Sequence, residues 1–267
     1  MYKAHAQTIQ AYRDLDYSDG GKIGIVINLL PVYPISEHPS DQSLVHIVDS
    51  EANRLYLEPV LLGSYPSDLI ENYEQMFKIS FPEGDTALLK SVLPLDFLGI
   101  NYYTRLRIGF NNPEEITDDA SFVKKLQARE IQVNPPQEGI EYSEMNWEIY
   151  PDGLYDILKR VDEEYNHPEI YITENGMAAK DDKIIDNLVY DTDRVDYLQQ
   201  HFIQANKAIK AGVNLKGFFI WSLLDNFEWF HGYSKRFGII RVDFNTQERI
   251  WKKSAHWYQQ VIENRGF

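Results

Sequence analysis

Ile170-Tyr171-Ile172-Thr173-Glu174-Asn175-Gly176 is the stretch on which the fold turns. Four residues of strand-forming type run without a break into a carboxylate, and an asparagine and a glycine then end the run in a turn. A short, nearly continuous apolar run suits a strand of a parallel sheet, covered on both faces. Three other runs share this character: Ile23-Gly24-Ile25-Val26-Ile27, Phe97-Leu98-Gly99-Ile100 and Gly217-Phe218-Phe219-Ile220-Trp221.

Helical stripes separate the runs. Leu69, Ile70, Tyr73, Met76 and Phe77 form one, with Ser67 expected as its cap; Leu154, Ile157, Leu158, Val161 and Tyr165 form a second. Val195, Leu198, Phe202, Ala205 and Ile209 form a third that Gly212 can close in a left-handed turn, and Trp257, Tyr258, Val261 and Ile262 form the last. The chain opens inside another helix pattern (Tyr2, Ala6, Ile9) with no cap ahead of it, which reads as a domain cut short. Strands alternating with amphipathic helices specify right-handed βαβ units. A whole eight-stranded α/β barrel needs roughly 250 residues. The 267 residues here would allow one, yet only four βα units are visible. The expected fold is therefore α/β: about four βα units, the C-terminal half of a TIM (β/α)8 barrel, as one domain over residues 1–267. Residues 31–50 and 105–146 read as long loops crowning the carboxyl ends of the strands. Residues 237–250 read as a hairpin turning at Asn245-Thr246.

Composition narrows the function. With 43% hydrophobic and 13% aromatic residues the chain can bury a sizeable core. A net charge of −15 repels phosphate backbones and anionic lipid, so nucleic acid and membrane are excluded as expected partners. The same charge fits either plain solubility or a negatively lined cleft. The absence of cysteine removes disulfides, zinc thiolates and thiol catalysis. His5, His38, His46, His167, His201, His231 and His256 are scattered without a ligand-like pair, so neither a metal nor an organic cofactor is expected. No basic-then-apolar leader and no span-length apolar run is present, and the expected location is cytoplasmic.

Two segments carry chemistry. Glu174 ends a strand where α/β barrels place catalysis, although a helix-capping or solvated glutamate would look the same. In Trp221-Ser222-Leu223-Leu224-Asp225-Asn226-Phe227-Glu228-Trp229, two indoles can stack on a pyranose face, and a carboxylate can accept from two neighbouring hydroxyls. Simple core packing of the tryptophans is the competing reading.

Taken together these segments resemble glycoside hydrolase family 1. So do Phe97-Leu98-Gly99-Ile100-Asn101-Tyr102-Tyr103-Thr104, Asn146-Trp147-Glu148-Ile149-Tyr150-Pro151-Asp152-Gly153-Leu154-Tyr155 and Tyr233-Ser234-Lys235-Arg236-Phe237-Gly238, all in family order. The resemblance implies a retaining β-glucosidase or β-galactosidase with Glu174 as nucleophile and Tyr103 orienting it. It further implies Asn101 lining the pocket, Trp221 under the sugar ring, Glu228 gripping its outer hydroxyls, Trp229 as a neighbouring donor and Trp147 as an aglycone wall. Tyr103 as core aromatic, Asn101 as turn residue and Trp147 as loop anchor are the plainer alternatives. Glu228 stands where a 6-phosphate would need cationic donors, which favours non-phosphorylated substrates.

The retaining mechanism needs a second carboxyl roughly 5–5.5 Å from the first. The family carries it in a Thr-Phe-Asn-Glu-Pro-like segment that this sequence lacks, and Glu148, Glu169 and Asp225 are poor substitutes by position. Three readings follow. The chain is part of a β-glycosidase whose substrate is a β-glycoside or oligosaccharide and whose partner is a missing N-terminal half; or it is a non-catalytic, sugar-binding half-barrel with a homodimer mate; or it is a generic α/β domain that keeps the motifs for packing.

Overall fold

A computed structural model describes residues 1–15, 20–78 and 84–266. Its centre is one four-stranded parallel sheet: β1 (Gly24–Asn28), β2 (Phe97–Asn101), β3 (Ile170–Glu174) and β4 (Leu215–Phe218), paired in chain order. The flanking helices are α1 (Tyr2–Asp14), α2 (Pro39–Asp49), α3 (Leu55–Leu61), α4 (Ser67–Phe77), α5 (Asp85–Ser91), α6 (Asp119–Gln127), α7 (Asp152–Glu164), α8 (Thr192–Lys210) and α9 (Lys253–Asn264).

One face of the sheet is sealed. Ile27, Leu98, Ile100, Ile170 and Ile172 are buried against Leu57 and Val60 of α3, Leu154, Ile157, Leu158 and Val161 of α7, and Ala205 and Ala208 of α8. The opposite, concave face is open, which corrects the expectation of cover on both sides. Val26 is 49% exposed and Phe219 54%. The helices lie on one side only, and four strands curve without closing, so β1 and β4 each keep a free edge among the described residues.

Several local expectations are also corrected. The fourth strand ends at Phe218, not Trp221. Phe219 and Trp221 still donate their amides to the Ile172 and Asn175 carbonyls, at 2.8 and 2.9 Å, but leave the regular register. Ser67 begins α4 rather than capping it; Pro66 stands at the cap. The side chains of Met76 and Phe77 in that stripe lie outside those described. Leu198 and Ala205 of the expected stripe are buried, but Ile209 is half exposed, and α8 also buries Arg194, Tyr197, His201 and Ala208. The two long loops hold structure: Val32–Pro34, Leu106–Phe110 and Ile131–Val133 form a second sheet, with α2 and α6 beside it. The hairpin pairs Ile240–Val242 with Arg249–Trp251, as read from sequence.

A π-helical segment, Ser50–Arg54, follows α2. It aims buried Asn53 at Leu30, whose amide and carbonyl both bond its side chain at 2.9 Å. Leu30 is thereby fixed at the rim described next.

Candidate active site

The register of the sheet builds the site. Asn28 pairs with Asn101, and Asn101 with Glu174, so three polar residues stand abreast at the carboxyl rim of β1–β3. A bulge lies between the Ile100–Ile172 and Asn101–Glu174 pairs. Such an extra residue re-aims the side chain that follows it. Thr173, the skipped residue, donates its hydroxyl to Asn101 Oδ1 at 2.7 Å.

Glu174 looks into a cleft of ≈ 1070 Å³. Asn101, Tyr103, Trp147, Trp221, Glu228 and Trp229 line the same cleft, so every residue singled out in the sequence converges there. The Tyr103 hydroxyl donates to Glu174 Oε2. Burial first, then that bond, hold the Tyr103 hydroxyl far above the ordinary tyrosine range, so it is a proton donor at every working pH. Trp147 and Phe237 flank the Tyr103 ring at 5.6 and 6.2 Å and restrict its swing. Trp221 hangs on the β3 turn through the Asn175 carbonyl, and Gly176 makes that approach feasible: a methyl there would sit 1.9 Å from the Trp221 carbonyl oxygen.

Glu228 faces the same space. Burial raises its pKa above the usual carboxylate value, the Glu174 charge adds to this, and His231 opposes it. Trp229, 80% exposed, and Phe230, 91% exposed, stand at the open mouth. Sequence reasoning missed Asn28, Leu30, Met145, His231 and Phe237, which also line the cleft. Asn28 had a usable signal, because it ends its strand as Asn101 does.

The other acids considered are committed elsewhere. Glu148 is buried and bonded to Arg105 and Arg107 at 2.8 and 2.6 Å. Glu169 pairs with Lys22 at 2.8 Å, at the opposite end of β3. Asp225 is held by Lys252 at 2.9 Å and Arg236 at 2.5 Å. Among the described residues no cluster of three metal-ligating side chains occurs, and no helix is long and apolar enough to cross a membrane.

Behind the site His201 is wholly buried, its ring stacked on Tyr197 at 3.9 Å. Burial lowers its pKa from 6.5 to about 4. The unfolded chain takes up this proton near pH 6.5, whereas the folded chain resists until about pH 4. Stability therefore falls as pH drops through that window, by about 3 kcal/mol for this group. Urea unfolding at pH 7 and 4.5 should show a smaller pH difference in His201→Phe than in the parent; an equal difference contradicts the assignment.

A curved parallel sheet with a carboxylate and aromatic cleft at its carboxyl rim is the architecture of a barrel-type glycoside hydrolase. The chain belongs to glycosyl hydrolase family 1, whose model matches residues 1–267. It is 40% identical over 268 residues to beta-glucosidase A of Acetivibrio thermocellus, covering 99% of this chain and 56% of that protein. It is 38% identical over 283 residues to 6-phospho-beta-galactosidase of Staphylococcus aureus, covering 99% of this chain and 59% of that one. The solved beta-glucosidase from Thermotoga maritima in complex with glucoimidazole superposes with a TM-score of 0.84 at 40% identity, over 100% of this chain and 56% of that one. The chain thus spans little more than half the length of the relatives it matches.

Proposed function

We propose that this chain is the nucleophile-bearing, C-terminal portion of a retaining β-glycosidase that acts on terminal, non-phosphorylated β-D-glucosyl or β-galactosyl residues. The observation that carries this is the Tyr103 hydroxyl bonded to Glu174 Oε2 inside an aromatic cleft. With Oε2 engaged, Oε1 is the oxygen left to attack. A bond forms from Oε1 to the anomeric carbon while the glycosidic C–O bond breaks, and the leaving oxygen takes a proton from a second carboxyl. Water then adds to the same carbon, returns a proton to that second carboxyl and releases Glu174. Tyr103 holds the carboxylate in line and stabilises it as it departs. Trp221 offers its indole face to the sugar, Glu228 and Trp229 take its outer hydroxyls, Asn101 lines the floor and Trp147 walls the aglycone side. Lys235 of the same loop donates to the Glu144 carbonyl and lies 3.7 Å from its carboxylate, and the neighbouring Arg236 is paired with Asp225, which favours an unphosphorylated sugar beside Glu228.

The second carboxyl belongs, in this reading, to an N-terminal half. General acid–base help contributes about 10²–10⁴-fold. The pure chain should therefore show no steady hydrolysis of cellobiose, while an activated aryl glucoside releases about one equivalent of phenolate and stops. Steady disaccharide turnover would sink the proposal.

The free edges of β1 and β4 favour a second reading, a sugar-binding half-barrel that pairs with its own copy. Light scattering separates the two: a dimer of the pure chain supports pairing, a monomer excludes it.

A further inference from the structure

A closed ring of contacts lies behind the candidate nucleophile. Asn175, fully buried, donates from Nδ2 to the Tyr102 carbonyl at 2.9 Å and to the Tyr197 hydroxyl at 3.1 Å. This amide orientation is forced, because the Tyr102 carbonyl can only accept. Since the Tyr197 hydroxyl accepts from Asn175, its own proton goes to the Tyr103 carbonyl, 3.1 Å away. Tyr103 in turn donates its hydroxyl to Glu174, and Glu174 is joined to Asn175 by the chain itself. Three hydrogen bonds and one peptide link therefore join Asn175, Tyr197, Tyr103 and Glu174 in a circuit.

Tyr197 is the one member of that circuit outside the strand ends. It sits on α8, is 2% exposed, and its ring is stacked on His201. One turn earlier, Arg194 is held by Asp181 at 2.8 Å and donates from Nε to the Met177 carbonyl at 3.3 Å. A long helix pinned at both places is a firmer reference than either loop. Trp147 and Phe237 block the Tyr103 ring on its other sides.

We infer that Tyr197 is a positioning residue for the nucleophile: its hydroxyl, set between the Asn175 amide and the Tyr103 carbonyl, fixes how the Tyr103 hydroxyl meets Glu174. The inference rests on the reading of Glu174 given above for its consequence in catalysis, and on geometry alone for the circuit. A packing role would be kept by phenylalanine, so the hydroxyl is what must be tested.

The full chain, labelled with ¹³C at tyrosine Cζ, gives a resonance for Tyr103 that is assigned by its loss in Tyr103→Phe. Glu174→Ala removes the acceptor and marks the broken-bond limit. In Tyr197→Phe the Tyr103 resonance is expected to move at least half of the way to that limit; a resonance unmoved from the parent overturns the inference. Asn175→Ala opens the circuit at its other joint, should move the same resonance in the same direction, and decides the matter if Tyr197→Phe does not fold. Labelling of Glu174 by an aryl 2-deoxy-2-fluoro-β-D-glucoside should slow about 10- to 100-fold in Tyr197→Phe, with the inhibitor's binding constant unchanged. Labelling as fast as in the parent overturns the positioning role. If the parent itself takes no label, the nucleophile reading fails, and the resonance comparison alone decides the circuit.

Discussion

Lys252→Met is expected to lower the unfolding free energy by about 3–5 kcal/mol, one of the two largest effects the structure implies. Lys252 is the hub of a buried lattice of three aspartates and three cations. Its ammonium bonds Asp181 at 2.5 Å and Asp225 at 2.9 Å, and it is fully enclosed. Burial, and then the Arg194 charge, pull it below the ordinary lysine range, while the two aspartates oppose them. Arg194 spans Asp181 and Asp191, and Arg236 completes the set at Asp225. The lattice joins the loop after β3, the start of α8, the approach to α9 and the segment bearing Trp221 and Glu228. Methionine fills the space of the lysine stem but leaves three buried carboxylates facing two guanidinium groups, and uncompensated charge is what such sites tolerate least. The expected readout is a lower urea midpoint with an unchanged slope. A loss below about 1 kcal/mol would show that water reaches the lattice and screens it.

Glu174→Gln is expected to abolish the single-equivalent release of phenolate from an activated aryl glucoside, a loss on the order of 10⁴-fold or more in the first step. The amide keeps the shape of the side chain and can still meet the Tyr103 hydroxyl, but it cannot form the glycosyl ester. Binding of the sugar, which the proposed function assigns to Trp221 and Glu228, should change little. A variant that still releases a full equivalent would place the attacking group elsewhere. Glu228, in the same cleft and with its pKa raised by burial, is the first residue such a result would indicate.

The sequence carried much of this because the informative residues sit in strands and at strand ends. The run from Ile170 to Gly176 announces a buried strand, a carboxylate and a turn in that order, and β1 and β2 follow the same grammar. The bulge that turns Glu174 into the cleft was not legible, since it depends on pairing between Asn101 and Glu174 across strands distant in the chain. Residues 31–50 and 105–146 read as loops because Val32–Pro34 and Ile131–Val133 are three residues long, the first with a proline, and Leu106–Phe110 is interrupted by Arg107 and Gly109; those strands exist through pairing with one another. The Lys252 lattice was invisible for a similar reason. Asp181, Asp191, Arg194, Asp225, Arg236 and Lys252 are spread over 72 positions and are of types that ordinarily face water. Ile209 misled in the opposite sense: its helical spacing is right, yet it lies half exposed in an open groove that it shares with Leu215, Phe218 and Val261.

Intact-mass and peptide-level spectrometry after incubation with 2,4-dinitrophenyl 2-deoxy-2-fluoro-β-D-glucoside tests the central assignment most directly. The slow-turnover sugar should remain attached, adding one fluoroglucosyl group, and fragmentation should locate it on Glu174. An unmodified chain, or a sugar found on Glu228 or any other residue, would contradict the account.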